Sequence, residues 1–276
     1  MSTQSHIRPG ATKEAAIQET IGPIVSELLE RANLQSGERV LVLNCGSGDI
    51  INSAAEKVGP RGWITGIDAT HSKVAQARTN TSSLSVVNVI HGNAQNYQFA
   101  EDAYDIALST FGISHLTSPG KAFANILKAV KPSGRLACVA WSDRRHNPWF
   151  SASRWISEKS LSGLPRTSFD QPGPLALANR AETARCLRIA GWKQVFVEEV
   201  GLHLTPPGSL KDASELAYQM SMAPLVQRHA ANQSQAESMS EICRKELVEN
   251  LRQFSSQSEV LVPARVNFIT AKRGSA

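Results

Sequence analysis

The stretch GERVLVLNCGSGD, residues 37–49, decides how this chain folds. Positions 39–45 form an apolar, β-branched run with no helical period, which is the composition of a strand buried on both faces. The run passes straight into Gly46-Ser47-Gly48, and the apolar residues of 50–58 then take up helical spacing. A buried strand, a glycine turn and a helix in that order predict the first half of a βαβ unit.

Working outward, the pattern repeats. Gly59-Pro60-Arg61-Gly62 is a turn, and 63–67 reads as a second strand ending at Asp68. Helix is expected over 70–79, strands over 84–91 and 104–110, and helix again over 119–130. Lys131-Pro132-Ser133-Gly134 stops that helix before a fifth strand at 135–141. Single helices between strands imply right-handed crossovers. The fold class is therefore α/β: a Rossmann-like, mostly parallel seven-stranded sheet with helices on both faces, an N-terminal helical cap and a helical lid insert. After Trp141 the alternation breaks. Segment 143–174 is rich in Ser, Pro and Trp, with helical character around 150–161. An amphipathic helix at 179–190, closed by Gly191, precedes a strand at 194–200. Segment 209–255 is helical by composition, and 265–272 is a last strand. The expected division is an N-terminal cap at 1–36, a cofactor-binding core at 37–142 and an aromatic, Arg-rich insert at 143–178. Core continuation at 179–204, a helical lid at 205–260 and a last strand with tail at 261–276 complete it.

Composition narrows the class. The 276 residues are 41% apolar and carry 29 Lys plus Arg against 24 Asp plus Glu, a net charge of +5. That is enough apolar material for a large core. The four cysteines stand far apart with no CxxC pair, which excludes a Cys-rich zinc module and argues against a disulfide framework. No apolar run approaches the ~18 residues of a membrane span, and MSTQSHIRPGATKEAA lacks a secretory signal, so the expectation is a cytoplasmic protein. The largest basic excess lies between 143 and 190, eight basic residues against four acidic. A stripe this dilute, without interleaved stacking aromatics, predicts no nucleic-acid partner; it reads as a solvated face or a rim for anionic ligands.

In an open parallel sheet, ligands bind beyond the carboxyl ends of the strands near the switch in strand order. The segments there are 44–49, 68–70, 92–94, 109–115 and 141–143. Glycines at 46 and 48 let a ligand approach the backbone, and a carboxylate at 68 can accept from the vicinal hydroxyls of a ribose. A lone GxG is common in turns. After a buried strand, with an acid ending the next strand, it is more specific.

The order of these motifs resembles the class I S-adenosylmethionine-dependent methyltransferases, in the small-molecule branch related to the ubiquinone/menaquinone methyltransferases. The likeness spans about 15–271 and is clearest over 37–141. It rests on GERVLVLNCGSGD, on GWITGIDAT at 62–70, and on VIHGNAQNYQFAEDAYDIALSTFGISHL at 89–116. ILKAVKPSGRLACVAW at 126–141, DRRHNPWF at 143–150 and PGPLALANRAETARCLRIAGW at 172–192 are also similar to segments of that branch. The resemblance implies S-adenosylmethionine as cofactor. It places Gly46 and Gly48 under the methionine moiety, Asp68 on the ribose and Ala69 against adenine. Asn93 and Ala94 would meet the adenine edge, with Ser109 and Phe111 beside the methionine tail and sulfonium. Asn93 could instead be only a turn former, and Asp68 only a helix-start residue. Two positions depart from the family pattern. Asn44 stands where an acid is usual, so a hydrogen bond there lacks charge assistance, and Ile50 occupies the third glycine position, where it would crowd a ligand.

Methyl transfer asks the protein for alignment, desolvation and, for O- or N-acceptors, a base. His115, just past the fourth strand, is the best-placed candidate, with capping or packing as its other reading. His146 and His203 are further candidates to reach substrate. Trp141, Trp149, Phe150 and Trp155 could wall an apolar acceptor or simply pack the insert, and Arg144 could pair with an anionic group. The chain has no GxSxG, HExxH or GxxxxGK[ST], and no His/Cys spacing for a metal. Ser-Thr-Phe-Gly after the fourth strand replaces the DPPY-type motif of nucleic-acid amino methyltransferases. The expected function is methyl transfer to an O-, N- or C-atom of a small, largely apolar metabolite of secondary metabolism. The alternative is a non-methylating member of the fold, using the pocket for another reaction such as cyclisation or for binding alone. The oligomeric state stays open, a homodimer included.

Overall fold

The computed structural model describes residues 13–150, 173–223, 226–227, 230–256 and 259–275. In chain order the elements are α1 (Lys13–Ala32), β1 (Arg39–Leu43), α2 (Asp49–Val58), β2 (Trp63–Asp68), α3 (His71–Asn80), β3 (Val87–His91), β4 (Tyr104–Thr110), α4 (Pro119–Ala129), β5 (Val130–Trp141), α5 (Arg180–Ile189), β6 (Lys193–Leu204), α6 (Leu210–Ala217), α7 (Gln233–Leu251) and β7 (Val262–Lys272).

The seven strands form one sheet in the order β3-β2-β1-β4-β5-β7-β6. β1 pairs in parallel with β2 and β4, β2 with β3, and β4 with β5. β7 lies antiparallel on β5, from Arg135 opposite Lys272 to Trp141 opposite Val266. Strand order runs one way from β1 to β3 and the other way from β4, so the switch point falls between β1 and β4. Right-handed crossovers then put α2 and α3 on one face and α4 on the other.

The core follows from the pattern of apolar residues. Val40, Leu41, Val42 and Leu43 of β1 have no exposed surface, as a strand covered on both faces requires. α2 buries Ile50, Ile51, Ala54, Ala55 and Val58, and α4 buries Ala122, Phe123, Ile126 and Ala129, both at helical spacing. Phe123, Ile126, Leu187 and Trp192 join one cluster against the sheet, and the buried Trp192 indole finds its partner in the Phe123 carbonyl at 3.0 Å. Each such large apolar side chain contributes about 1.5–3 kcal/mol by leaving water.

The chain divides into two compact units. One takes in Pro23–Ser142, Phe169–Val200 and Val266–Ala276, the other Met1–Gly22, Asp143–Ser168 and Gly201–Arg265, in each case as far as the described residues go. The second unit contains α6, whose N-terminus is closed by a reciprocal Ser209–Asp212 capping box. A five-residue π-helical turn at Tyr218–Met222 follows it, and then α7. No helix among the described residues is long and apolar enough to cross a membrane.

Several boundaries differ from the sequence expectation. β3 begins at Val87 rather than 84, because Leu84 N–H bonds Thr81 and Val87 N–H bonds Leu84 in a turn. β5 begins at Val130, so Lys131-Pro132-Ser133-Gly134 stays in the strand as an irregularity, with Ser133 at φ +63° and a register shift opposite Tyr104 and Ile106. β6 continues to Leu204, which puts His203 inside a strand. Of the helical stretch expected over 150–161, only Phe150 lies within the described residues.

Candidate functional site

β1, buried from Val40 to Leu43, ends where the chain must leave the sheet. Asn44 does so at φ +48°, a left-handed conformation that Asn tolerates better than most side chains. Gly46 and Gly48 follow at φ +56° and +96°. Their surroundings differ. A Cβ on Gly48 would lie 3.2 Å from Thr81 Cγ2 and 3.3 Å from Ala77 Cα, so the loop packs tightly on α3 there. A Cβ on Gly46 would meet nothing within 4 Å, so that glycine fronts open space.

Asp68 ends β2 and is nearly buried, 7% exposed. Its Oδ2 accepts the Gly46 N–H at 3.0 Å and its Oδ1 the Thr70 N–H at 2.9 Å. One carboxylate thus holds both the glycine loop and the start of α3. Asn80 Nδ2 donates to the Ser47 carbonyl at 3.0 Å, and Ser47 Oγ donates to Asp49. Beside the loop, burial and then the Asp68 charge push the Cys45 thiol up to about 12, so it stays protonated. Ala69, exposed, receives the Nε2–H of His91 on its carbonyl at 2.9 Å, and the His91 ring stacks on His71 with centroids 3.6 Å apart.

The loop after β3 is a built turn. Asn93 Oδ1 accepts the Gln95 N–H at 3.0 Å and the Asn93 carbonyl accepts from Asn96 and Tyr97, so Asn93 does form the turn. Ala94 is buried. Asn125 of α4 donates to the carbonyls of Ala94 and Tyr97, both at 2.9 Å. Gln95 Oε1 accepts from Thr117 Oγ1 at 3.1 Å and from the Ser118 N–H.

β4 delivers Ser109 and Phe111. Ser109 has no exposed surface; its hydroxyl donates to the Leu43 carbonyl at 3.3 Å and accepts the Ile113 N–H at 3.2 Å. Its hydroxyl is thus engaged within the chain, between the end of β1 and the turn after β4. Phe111, at φ +55°, stacks on the nearly buried Trp141 with centroids 4.6 Å apart and planes at 15°. Gly112 then passes so close to Asn44 that a Cβ would sit 2.3 Å from the Asn44 Cβ. His115 closes the short 3₁₀ turn Gly112–His115. It keeps more than a third of its surface accessible, yet desolvation by the surrounding chain lowers its pKa below the 6.5 of an ordinary imidazole. Ile50 is buried in the apolar face of α2.

The structure therefore brings Asn44, Gly46, Gly48, Asp68, Ala69, Asn93, Ala94, Ser109, Phe111, His115 and Trp141 to the carboxyl ends of β1 to β5 in one unit. Arg144, His146, Trp149, Phe150 and His203 belong to the other unit. There His146 and His203 are exposed, while Trp149 and Phe150 are buried; the Trp149 indole N–H has no hydrogen-bond partner among the described residues. Trp155 lies outside the described residues. Thr70 falls in the strand-end segment 68–70, whereas Asn80, His91, Gln95 and Asn125 escaped sequence reasoning. Of these, only His91, the terminal residue of its strand, carried a positional signal.

Residues 26–159 match the ubiE/COQ5 methyltransferase family. The demethylmenaquinone methyltransferase of Listeria monocytogenes serotype 4a (strain HCC23) is 30% identical over 174 residues, 57% of this chain and 73% of that protein. Among solved structures, the phosphoethanolamine N-methyltransferase 2 of Haemonchus contortus in complex with S-adenosyl-L-methionine is similar with a TM-score of 0.58 and 16% identity, over 97% of this chain and 59% of that one. The cyclase SpnF is similar with a TM-score of 0.57 and 17% identity, over 100% of this chain and 89% of that one. At such identities the likeness is one of fold, and this fold carries more than one chemistry.

Proposed function

The chain belongs to the ubiE/COQ5 methyltransferase family and is an S-adenosylmethionine-dependent methyltransferase acting on a small molecule; from this premise we propose that its acceptor is a planar, largely apolar ring. The observation that carries this reading is the Phe111–Trp141 stack at the ends of β4 and β5, next to the switch point. Stacked aromatic faces favour a flat π-system over a flexible polar chain. The quinone-type substrate named for the Listeria relative supports the same class, in preference to an unspecified secondary metabolite.

The residues present fit the cofactor. Open space at Gly46 admits a ligand against the backbone. The Asp68 carboxylate has four lone-pair positions and spends two on Gly46 and Thr70, which leaves two for ribose hydroxyls. Ala69 and the Asn93–Ala94 turn would hold the adenine. Asn44 and Gly48 would shape the loop under the methionine end. When bound, S-adenosylmethionine supplies an electrophilic methyl group on a sulfonium.

The chain's own work is alignment and proton removal. Phe111, backed by the nearly buried Trp141, orients the acceptor ring. His115, whose environment favours the neutral imidazole near pH 7, would take up the proton of an acceptor hydroxyl. Arg144, His146, Trp149, Phe150, Trp155 and His203 remain candidate substrate or catalytic residues.

The test is turnover. Purified protein is incubated with S-adenosylmethionine and a panel of reduced naphthoquinols, benzoquinols and non-aromatic hydroxyl or amine acceptors. Methylation confined to the flat rings is the expected result; transfer only to non-aromatic acceptors would overturn it.

A further inference from the structure

The turn read as adenine-side and the turn that carries His115 are joined through one side chain, Gln95. Its backbone N–H is held by Asn93, and its Oε1 reaches across to accept from Thr117 Oγ1 and the Ser118 N–H. Thr117 and Ser118 stand two and three residues after His115, and Ser118 is the cap residue of α4. Asn125, about two turns further along α4, fixes the other side of the same loop through Ala94 and Tyr97. A loop tied only by its own backbone could shift without consequence for its neighbour; this one has four side-chain-mediated ties to the 117–125 segment.

We infer that Gln95 is a positioning residue that transmits occupancy of the adenine-side turn to the placement of His115. The inference rests on the proposed function, because it takes Asn93–Ala94 as the adenine side and His115 as the base. Both donors point at the same oxygen, so what matters is an acceptor at that place. Gln95→Glu therefore keeps the link, whereas Gln95→Leu, of similar bulk, removes it. Ordering of the adenine-side turn then no longer fixes the 115–118 segment. Loss of base alignment lowers kcat and leaves cofactor binding nearly intact.

The experiment follows the His115 imidazole signal by NMR in histidine-labelled full-length protein while adenosine, and separately S-adenosylhomocysteine, is added. In the wild type adenosine alone moves the signal. In Gln95→Leu adenosine still binds, with Kd within about threefold, but the movement is lost and kcat falls about tenfold at nearly unchanged cofactor KM. Gln95→Glu restores both. Thr117→Val, which removes one donor from the opposite side, gives a partial loss and keeps the test intact should Gln95→Leu fail to fold. A His115 signal that ignores bound adenosine in the wild type, or a Gln95→Leu response equal to wild type, overturns the inference while leaving the proposed function standing. If neither adenosine nor S-adenosylhomocysteine binds, the proposed function falls and takes the inference with it.

Discussion

Asp68 Oδ2 accepts the Gly46 N–H at 3.0 Å, so the acid ending β2 and the glycine loop leaving β1 form one unit across 22 residues of sequence. Removing the carboxylate has two consequences. Asp68→Ala strands the Gly46 and Thr70 N–H groups and costs about 1–3 kcal/mol of stability. It also removes the ribose acceptors, so the Kd for S-adenosylhomocysteine rises about 10- to 100-fold. Asp68→Asn retains one acceptor oxygen and falls between. Calorimetric titration and thermal melts measure both effects; wild-type affinity in Asp68→Ala would refute the ribose role.

The two loop glycines separate packing from binding. Gly46→Ala meets no neighbour and suffers only the left-handed penalty of about 1–2 kcal/mol. Its methyl group enters the open space, so cofactor affinity falls out of proportion to stability. Gly48→Ala must also push against Ala77 and Thr81 of the α3 end and loses about 1–3 kcal/mol more. A larger drop in Tm for Gly48→Ala, with the larger relative affinity loss in Gly46→Ala, is the expected pair of results.

Thiol reactivity should follow burial. Cys45, Cys138 and Cys243 are buried and Cys186 is partly accessible, all four as free thiols. Burial raises every one of the four, Cys45 to about 12 and Cys243 to about 11. At pH 8 a thiol reagent therefore modifies Cys186 first and slowly, and Cys186→Ser abolishes that phase. Fast labelling of Cys45 in the native protein would show that the glycine loop opens.

Asn44 offers a gain of function. The position adopts the left-handed conformation that Asp also tolerates, so Asn44→Asp folds normally. A carboxylate there makes a charge-assisted bond about twice as strong, worth roughly fivefold in cofactor Kd. An unchanged Kd would mean that Asn44 serves the loop alone. Gly112→Ala is the contrasting case: a Cβ 2.3 Å from that of Asn44 cannot be accommodated without moving the loop.

The backbone of the site was legible because its signals are local. An uninterrupted apolar run and two glycines fix a strand and the turn that leaves it, and Asp68 marks the end of the next strand. What the sequence hid depends on side chains that meet only after folding. Ser109 reads as a polar residue at a strand end, yet its hydroxyl is consumed between Leu43 and Ile113. Gln95 and Asn125 sit in unremarkable positions and become ties only because α4 packs beside the turn after β3. Ser133 shows the same limit for boundaries. Lys131-Pro132-Ser133-Gly134 looks like a terminator by composition, but pairing with β4 keeps it in the strand.

His115 provides the pH prediction. Desolvation disfavours its imidazolium in the folded chain, so its pKa lies below the unfolded value of 6.5. Between those two values the unfolded chain binds more protons. The wild type therefore loses stability as pH falls through that window, and His115 contributes no pH dependence above it. His115→Phe removes the loss, and its stability is flatter than wild type below pH 6.5. Because the ring is partly solvent-accessible, the difference is small and is best read as a slope. In activity, kcat/KM falls on the acid side with an apparent pKa below 6.5. His115→Asn erases that limb and lowers kcat about 100-fold on a hydroxyl acceptor. If the limb survives in His115→Asn, proton removal belongs to another group, and His146 and His203 are the side chains to replace next.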